Sequence, residues 1–407
     1  MRYAARRELP PTAGLPLRWR DLLAGRPDFA AALAAEFGIP APLLTCSGTA
    51  ALIVALRTLQ QQQPQRDEVI VPAFTCPLVA LAAWHCPPLK IVPCDLQPGR
   101  IDFDPRQLSQ LCTTRTLAVV VTHLAGRVAD AATAARLSAR CGAVLIEDCA
   151  QALGARRGGQ SVGLIGEIAF FSLALGKGLT TAEGGILFSR LPTLHAALAR
   201  QIASDLPHRP LAELGRIATL WGYRLFYHPD RLEWVYGRPL RRALARGDWL
   251  SAVGENFTAA AIPLHRLGRY RQRAAAAALR RLPAWLLQGR ERAQARVALL
   301  ARLPGVTVIQ DRHDGVWPFM LLLMPDRASR DAALERLWCA GLGVSRLFIS
   351  TLRHYPDVLP LLSLRSQTPN ADRLAACSLT LSNSPWLSDA DFARILSALG
   401  QVLPAPG

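Results

Sequence analysis

Lysine is almost missing from this 407-residue chain. Of its 47 basic residues only two are lysines, Lys90 and Lys177, and the rest are arginines. A guanidinium stays protonated, whereas a lysine can lose its proton and act as an amine nucleophile or Schiff-base partner. The scarcity singles out two residues for amine chemistry, although a coding bias toward arginine explains it equally well. Apolar runs of ~18–20 residues are also missing, which excludes a membrane-spanning helix. Residues 1–10 carry charge and no apolar stretch of the kind a signal peptide needs. The nine cysteines are odd in number and show no CxxC spacing. That argues against a zinc site or a disulfide framework and for a reducing, cytoplasmic location, with no metal expected.

What is present is arginine and apolar surface. The net charge is +17 and the sequence pI about 10.5. Such a balance attracts acidic partners such as phosphorylated substrates, nucleic acid or an anionic membrane face. The arginines are scattered rather than gathered in one tail, so nucleic acid is not expected as a partner. Residues are 51% hydrophobic, enough for a sizeable core, and the length suits two or three domains.

Residues 43–190 alternate short apolar runs with helical patterns. Continuous apolar strands between helices predict an α/β layer structure with a mostly parallel central sheet. Residues 205–250 are rich in Arg, Leu, Trp and Tyr and have little strand character. Residues 256–302 read as helical, and from about 305 strands, one of them expected over 343–348, mix with helices in an α+β pattern. The expected division is a large α/β domain over 1–255, with an N-terminal arm and a basic-aromatic insertion near 205–250. Residues 256–407 are then a linking helix and a small C-terminal α+β domain.

Three motifs carry chemistry. Ser47-Gly-Thr-Ala-Ala51 lies at a strand-to-helix turn, where glycine and free N–H groups favour a phosphate. It also reads as an ordinary helix cap. Asp148 ends the apolar run Val144–Asp148, at the sheet edge where open α/β sheets bind ligands. It too could serve only as a cap. Ser172 stands five residues before Lys177 on one loop. A phosphate turn, a strand-end acid and a Ser…Lys loop, in that order, are the parts of a pyridoxal-phosphate site. That cofactor needs a lysine for its aldehyde and an acid for its pyridinium nitrogen.

The chain resembles the DegT/DnrJ/EryC1/StrS family of sugar aminotransferases, fold-type I pyridoxal-phosphate enzymes. The matching stretches are Cys46-Ser-Gly-Thr-Ala-Ala-Leu52, Asp67-Glu-Val-Ile-Val-Pro-Ala-Phe-Thr75, Val121-Thr-His-Leu-Ala-Gly126 and Ile146-Glu-Asp-Cys-Ala-Gln151. Gly163–Ser172, Gly176-Lys-Gly-Leu179 and Glu183-Gly-Gly185 follow in family order. The resemblance implies pyridoxal 5'-phosphate as cofactor. Lys177 would bind it covalently and shuttle the proton, with Asp148 at the pyridinium nitrogen and Gln151 at the ring hydroxyl. Gly48, Thr49 and Ser172 would hold the phosphate. Asn256 would reach the phosphate of a neighbouring subunit, which implies a homodimer with shared sites. His123 matches a family histidine near the site, or is a packed core residue.

Departures fall on the substrate side. Cys76 stands where the family stacks an aromatic residue on the ring. Ala125 replaces a tyrosine, and Asn256-Phe-Thr258 lacks the family's arginine. The expected activity is transfer of an amino group, from glutamate, to a nucleotide- or lipid-linked keto-sugar in glycan or polysaccharide assembly. The alternative is a catalytically idle relative that binds membrane or protein partners. The basic-aromatic segment at 205–250 suits peripheral contact with the inner membrane face; a lid or dimer-interface element is its other reading.

Overall fold

The computed structural model describes residues 7–23, 25 and 28–403. Nine strands precede residue 190. They are β1 (Leu43–Thr45), β2 (Glu68–Pro72), β3 (Lys90–Cys94), β4 (Thr116–Thr122) and β5 (Val144–Asp148). A two-stranded hairpin follows as β6 (Arg156–Arg157) and β7 (Gln160–Ser161), then β8 (Ile168–Ser172) and β9 (Gly185–Ser189). Seven of them form one sheet in the order β1-β9-β8-β5-β4-β2-β3. The pairs from β3 to β8 are parallel, and β9 runs antiparallel to both its neighbours. The mostly parallel α/β sheet expected from the sequence is therefore present.

β4 shows why. Its sequence Thr-Leu-Ala-Val-Val-Val-Thr is buried along its whole length, as a strand covered on both faces must be. Helix Gly48–Gln62 lays Leu52, Ile53 and Leu56 on one face, against Val69, Val71 and Ile146. Helix Ala131–Arg140 covers the other, with Ala134 and Leu137 against Val119 and Leu145. Asp148 stands beside Thr122 and Phe170 in register, so the C-terminal ends of β4, β5 and β8 share one edge.

Four later strands form an antiparallel sheet in the order β10-β11-β13-β12: β10 (Thr307–Val308), β11 (Phe319–Leu323), β12 (Val344–Ser345) and β13 (Ser378–Ser382). The strand expected over residues 343–348 shortens to two residues, because Arg346 and Leu347 turn away to line a cavity.

Residues 205–250 are helical. Helices Pro210–Phe226, Pro229–Leu232 and Arg238–Ala245 are followed by Trp249–Val253. Stacked Tyr223 and Tyr227 hold the N-terminal arm. Tyr227 Oη donates to Thr12 O at 2.7 Å and accepts from Gly14 N at 2.8 Å. The outer face of helix Pro210–Phe226 leaves Leu211, Leu214, Leu225 and Phe226 exposed. Among the described residues no helix is long and apolar enough to cross a membrane.

Arg271 is the largest fully buried side chain. Its guanidinium pairs with Glu213, with Nε 2.9 Å from Oε2, and donates to Thr181 O and Glu183 O. It thereby ties the β8–β9 loop to helix Pro210–Phe226. Removing one partner of a buried pair strands the other. Arg271→Met is expected to cost about 3–5 kcal/mol in urea unfolding. Adding Glu213→Leu should recover part of that loss; a double variant no more stable than the single one would contradict the pairing.

Candidate active site

The site forms where the parallel strand ends meet the start of helix Gly48–Gln62. Ser47 caps that helix, accepting from Ala50 N at 3.0 Å. The N–H groups of Gly48 and Thr49 are left at the positive end of the helix dipole. A Cβ on Gly48 would stand 3.2 Å from Ser172 Cβ, so glycine lets the helix start approach the end of β8. Gly185 is required as strictly, since a Cβ there would fall 2.2 Å from Ser47 O.

Lys177 sits on the β8–β9 loop. Leu173 N donates to Gly184 O at 2.8 Å and Thr181 N to Leu173 O at 2.9 Å, which folds the loop over the strand ends. Leu15 N donates to Gly178 O at 2.9 Å, so the N-terminal arm crosses beside the lysine. Burial pushes the Lys177 ammonium below its usual range, against the pull of nearby Cys76 and Asp148. Burial raises the Asp148 carboxyl, opposed by the Ala150 N–H and the charge of Lys177. Ala150 N donates to Asp148 Oδ1 at 3.0 Å. Gln151 Oε1 accepts from Ala125 N at 2.6 Å, leaving its NH2 as the free donor.

His123 and Glu147 lie beneath this edge. Ala129 N donates to His123 Nδ1 at 3.1 Å, so the ring proton sits on Nε2 and is donated to Glu147 at 2.9 Å. Glu147 also accepts from Gly163, Ile165 and Gly166. Burial pushes its carboxyl up, but His123 and these N–H groups hold it below its usual range. His123, Glu147 and Cys149 lie within ligand distance of one another. The Glu147 oxygens are already occupied by donors, and the group joins strands.

A cavity of about 230 Å³ opens at Lys177, with Gln151, Cys76, Glu255, Arg346 and Phe348 on its walls. The Cys76 thiol is pushed up to about 12 by burial, so it stays protonated. An adjoining cleft brings Ser172, Gln151 and Lys177 together with Trp285, Arg292 and Trp317. Of the residues expected from the sequence, Asn256 does not lie here; the resemblance implied that it serves a neighbouring subunit. It is exposed, donates to Ser251 Oγ, and lies beside Pro77, Leu250 and Tyr355. Arg292 and Glu255 were not expected. Arg292 was hidden among dozens of arginines, and only the fold shows that its Nε and Nη2 are buried without a hydrogen-bond partner.

Residues 24–204 match the model of the DegT/DnrJ/EryC1/StrS aminotransferase family. That stretch holds Asp148, Ser172 and Lys177. The chain is 37% identical over 174 residues to L-glutamine:2-deoxy-scyllo-inosose aminotransferase of Streptomyces fradiae, covering 43% of this chain and 39% of that one. It is 37% identical over 158 residues to 3-amino-5-hydroxybenzoate synthase of Amycolatopsis mediterranei, covering 39% of this chain and 40% of that one. The chain thus spans about two fifths of the length of these curated relatives. The solved structure of Helicobacter pylori PseC, an aminotransferase of pseudoaminic acid biosynthesis, superposes with a TM-score of 0.74 at 16% identity, over 97% of this chain and 99% of that one. That likeness is one of fold.

DegT/DnrJ/EryC1/StrS enzymes use pyridoxal 5'-phosphate, and the residues present fit it. Gly48 leaves the phosphate cradle open between a helix start and Ser172. The desolvated Lys177 and the strand-end Asp148 lie within electrostatic reach of each other.

Glu255 gives this cavity a pH dependence. It is buried, accepts from Ile349 N at 3.1 Å and Tyr355 Oη at 2.8 Å, and burial raises its carboxyl to about 7. The protonated form is the one the fold favours. Its stabilisation is complete below the ordinary value of 4.5 and is lost as pH rises through about 7. Relative to Glu255→Gln, the native protein should lose up to about 3 kcal/mol across that window in denaturation at successive pH values. A constant difference would refute the assignment.

Proposed function

We propose that the chain is a pyridoxal-phosphate aminotransferase that moves an amino group from glutamate to a keto-sugar carried on a nucleotide or lipid. The observation that carries this reading is the placement of Lys177, half-buried and desolvated, at the sheet edge that also holds Asp148 and the Gly48–Ser172 cradle. Support for a cyclic ketone as acceptor comes from the relative named for 2-deoxy-scyllo-inosose.

The bound cofactor supplies an electron sink for the carbon that carries the migrating nitrogen. The chain's residues do the rest. Gly48 and Thr49 N–H groups with the Ser172 hydroxyl bind the phosphate. Asp148, held by Ala150 N and Thr122, keeps the ring nitrogen protonated. The Gln151 NH2, left free by the bond its oxygen accepts from Ala125 N, would donate to the ring hydroxyl. Lys177 Nζ takes a proton from one carbon and returns it to another, which needs a neutral amine. Its burial makes that form available at lower pH than in an ordinary lysine. Arg292, with unpartnered N–H groups in the same cleft, receives the donor's carboxylate. Asn256 acts across a dimer, and the exposed stripe of helix Pro210–Phe226 is where a second chain or a leaflet would be met.

Purified protein should show a visible cofactor band that Lys177→Ala abolishes; a native protein that takes up no pyridoxal phosphate would sink the reading. Covalent uptake by the stripped protein should speed up as pH rises, with a midpoint below the ordinary lysine value of 10.5. Arg292→Gln should raise the KM for glutamate about 10- to 100-fold, the scale of a lost charge-assisted hydrogen bond. It should leave cofactor uptake unchanged; an unchanged KM would remove Arg292 from the donor site.

A further inference from the structure

One face of helix Pro210–Phe226 is left uncovered by the described residues. Leu211, Leu214, Gly215, Ala218, Gly222 and Leu225 recur at helical spacing and share that face. Leu211 is 84% exposed and Leu214 62%, and a Cβ added at Gly215 or Gly222 would meet nothing within 4 Å. The opposite side is fixed to the rest of the molecule, with Leu220 and Tyr223 buried and Glu213 on Arg271. The open stripe itself carries no charge.

The chain around the stripe is basic. Residues 206–250 hold eight arginines and four acids. Each of those acids is already engaged. Glu213 pairs with Arg271, Glu233 with Arg238 and Arg241, Asp230 lies beside His228, and Asp248 caps helix Trp249–Val253. Arg209 and Arg231 stand exposed at the two ends of the helix, and neither pairs with an acid among the described residues. Arg231 instead donates to Leu225 O at 3.2 Å, at the end of the stripe. Aromatic side chains border the same helix. Trp19, 43% exposed, packs on Trp221 with ring centroids 5.6 Å apart and lies under the Arg224 guanidinium. Beyond Arg231 the pattern repeats, with Trp234 58% exposed under the Arg238 guanidinium.

A second copy of the chain fits this face poorly. It would bring the same unpaired arginines against each other, and like charges across an interface are unfavourable. The exposed apolar side chains of the stripe amount to roughly 400 Å², about half of what each side of a stable dimer buries. An anionic lipid surface meets neither obstacle. It supplies the missing counter-charge, takes leucines at the acyl boundary and leaves arginine and tryptophan at headgroup level. We infer that helix Pro210–Phe226 docks this protein on an anionic membrane surface, with Leu211, Leu214 and Leu225 in the lipid and Arg209 and Arg231 on phosphate headgroups. The helix lies along that surface and does not cross it. Its Glu213 holds Arg271, which ties down the Lys177 loop, so the docked face and the candidate active site share one brace.

Co-sedimentation of the full chain with vesicles tests this, using phosphatidylcholine alone and phosphatidylcholine mixed with phosphatidylglycerol. Binding is expected to the mixed vesicles only, and should weaken as salt rises. Leu211→Ser with Leu214→Ser leaves the charge unchanged and should weaken binding at least ~10-fold, the scale of an apolar side chain withdrawn from lipid. Arg209→Gln with Arg231→Gln should weaken it by about 5-fold for each arginine. Arg327→Gln with Arg394→Gln removes the same charge from exposed sites on helices Arg327–Leu337 and Asp389–Gly400, and should leave binding unchanged. All these positions are exposed, so circular dichroism should show every variant folded. No binding to mixed vesicles at low salt overturns the docking surface. So does native-like binding by the serine variant, or an equal loss in the Arg327 and Arg394 variant. If light scattering shows an oligomer that the serine variant takes apart, the stripe belongs to a second copy and the lipid assignment falls. The surface does not need the aminotransferase reading. Vesicle binding without cofactor uptake would leave it standing, and cofactor uptake without vesicle binding would remove it alone.

Discussion

The loop between β8 and β9 has to present Lys177 from an interior that offers its carbonyls almost no water. Buried carbonyls must be paired, and this requirement organises much of the molecule. Leu173 and Gly184 pair within the loop, while Arg271 reaches Thr181 O and Glu183 O from a helix almost a hundred residues away in sequence. Arg271 in turn needs Glu213, which recruits the inserted helix Pro210–Phe226. That helix then supplies Tyr223 and Tyr227, which hold the N-terminal arm against the lysine. Helix Pro210–Phe226 is thus coupled to the site through the guanidiniums of Arg271 and Arg216 and through two tyrosines.

Electrostatics around Lys177 follow from the same burial. Desolvation drives the lysine toward its neutral form and Asp148 toward its own, and each opposes the shift of the other. A positively charged ring nitrogen beside Asp148 would favour the carboxylate, so the pair is poised for a cation that the protein itself does not provide. Beneath them, Glu147 and His123 form a closed unit whose hydrogen bonds are all internal. One acidic dipeptide on one strand therefore divides, with Glu147 held in a hydrogen-bonded unit and Asp148 at the strand-end edge. Alternation of side chains across the sheet is the cause.

Much of the large sheet was legible in the chain. Apolar runs such as Leu117–Val121 have one physical outcome, burial on both faces, and their spacing with helical stretches implies parallel pairing. The order of Gly48, Asp148, Ser172 and Lys177 was also legible, because the first three stand at the ends of elements whose type the local sequence reveals and Lys177 lies on the loop that follows. Long-range consequences were not. Nothing local distinguishes Arg292 or Arg346 from some forty other arginines. The resemblance implied a role for Asn256 in a neighbouring subunit, and within this chain its side chain donates to Ser251. The short β12 was read as a longer strand because residues 343–348 are mostly apolar, and a cavity wall uses the same residue types as a strand.

The sequence by itself determined the element types, the apolar strands and the order of residues around a scarce lysine, since those depend on periodicity and local backbone chemistry. Only the tertiary structure decided which arginines are spent on carbonyls and acids and which are left unpaired beside a cavity. The reason is that a guanidinium's role depends on the acceptors and the water within its reach, and those are brought to it by chain segments far away in sequence.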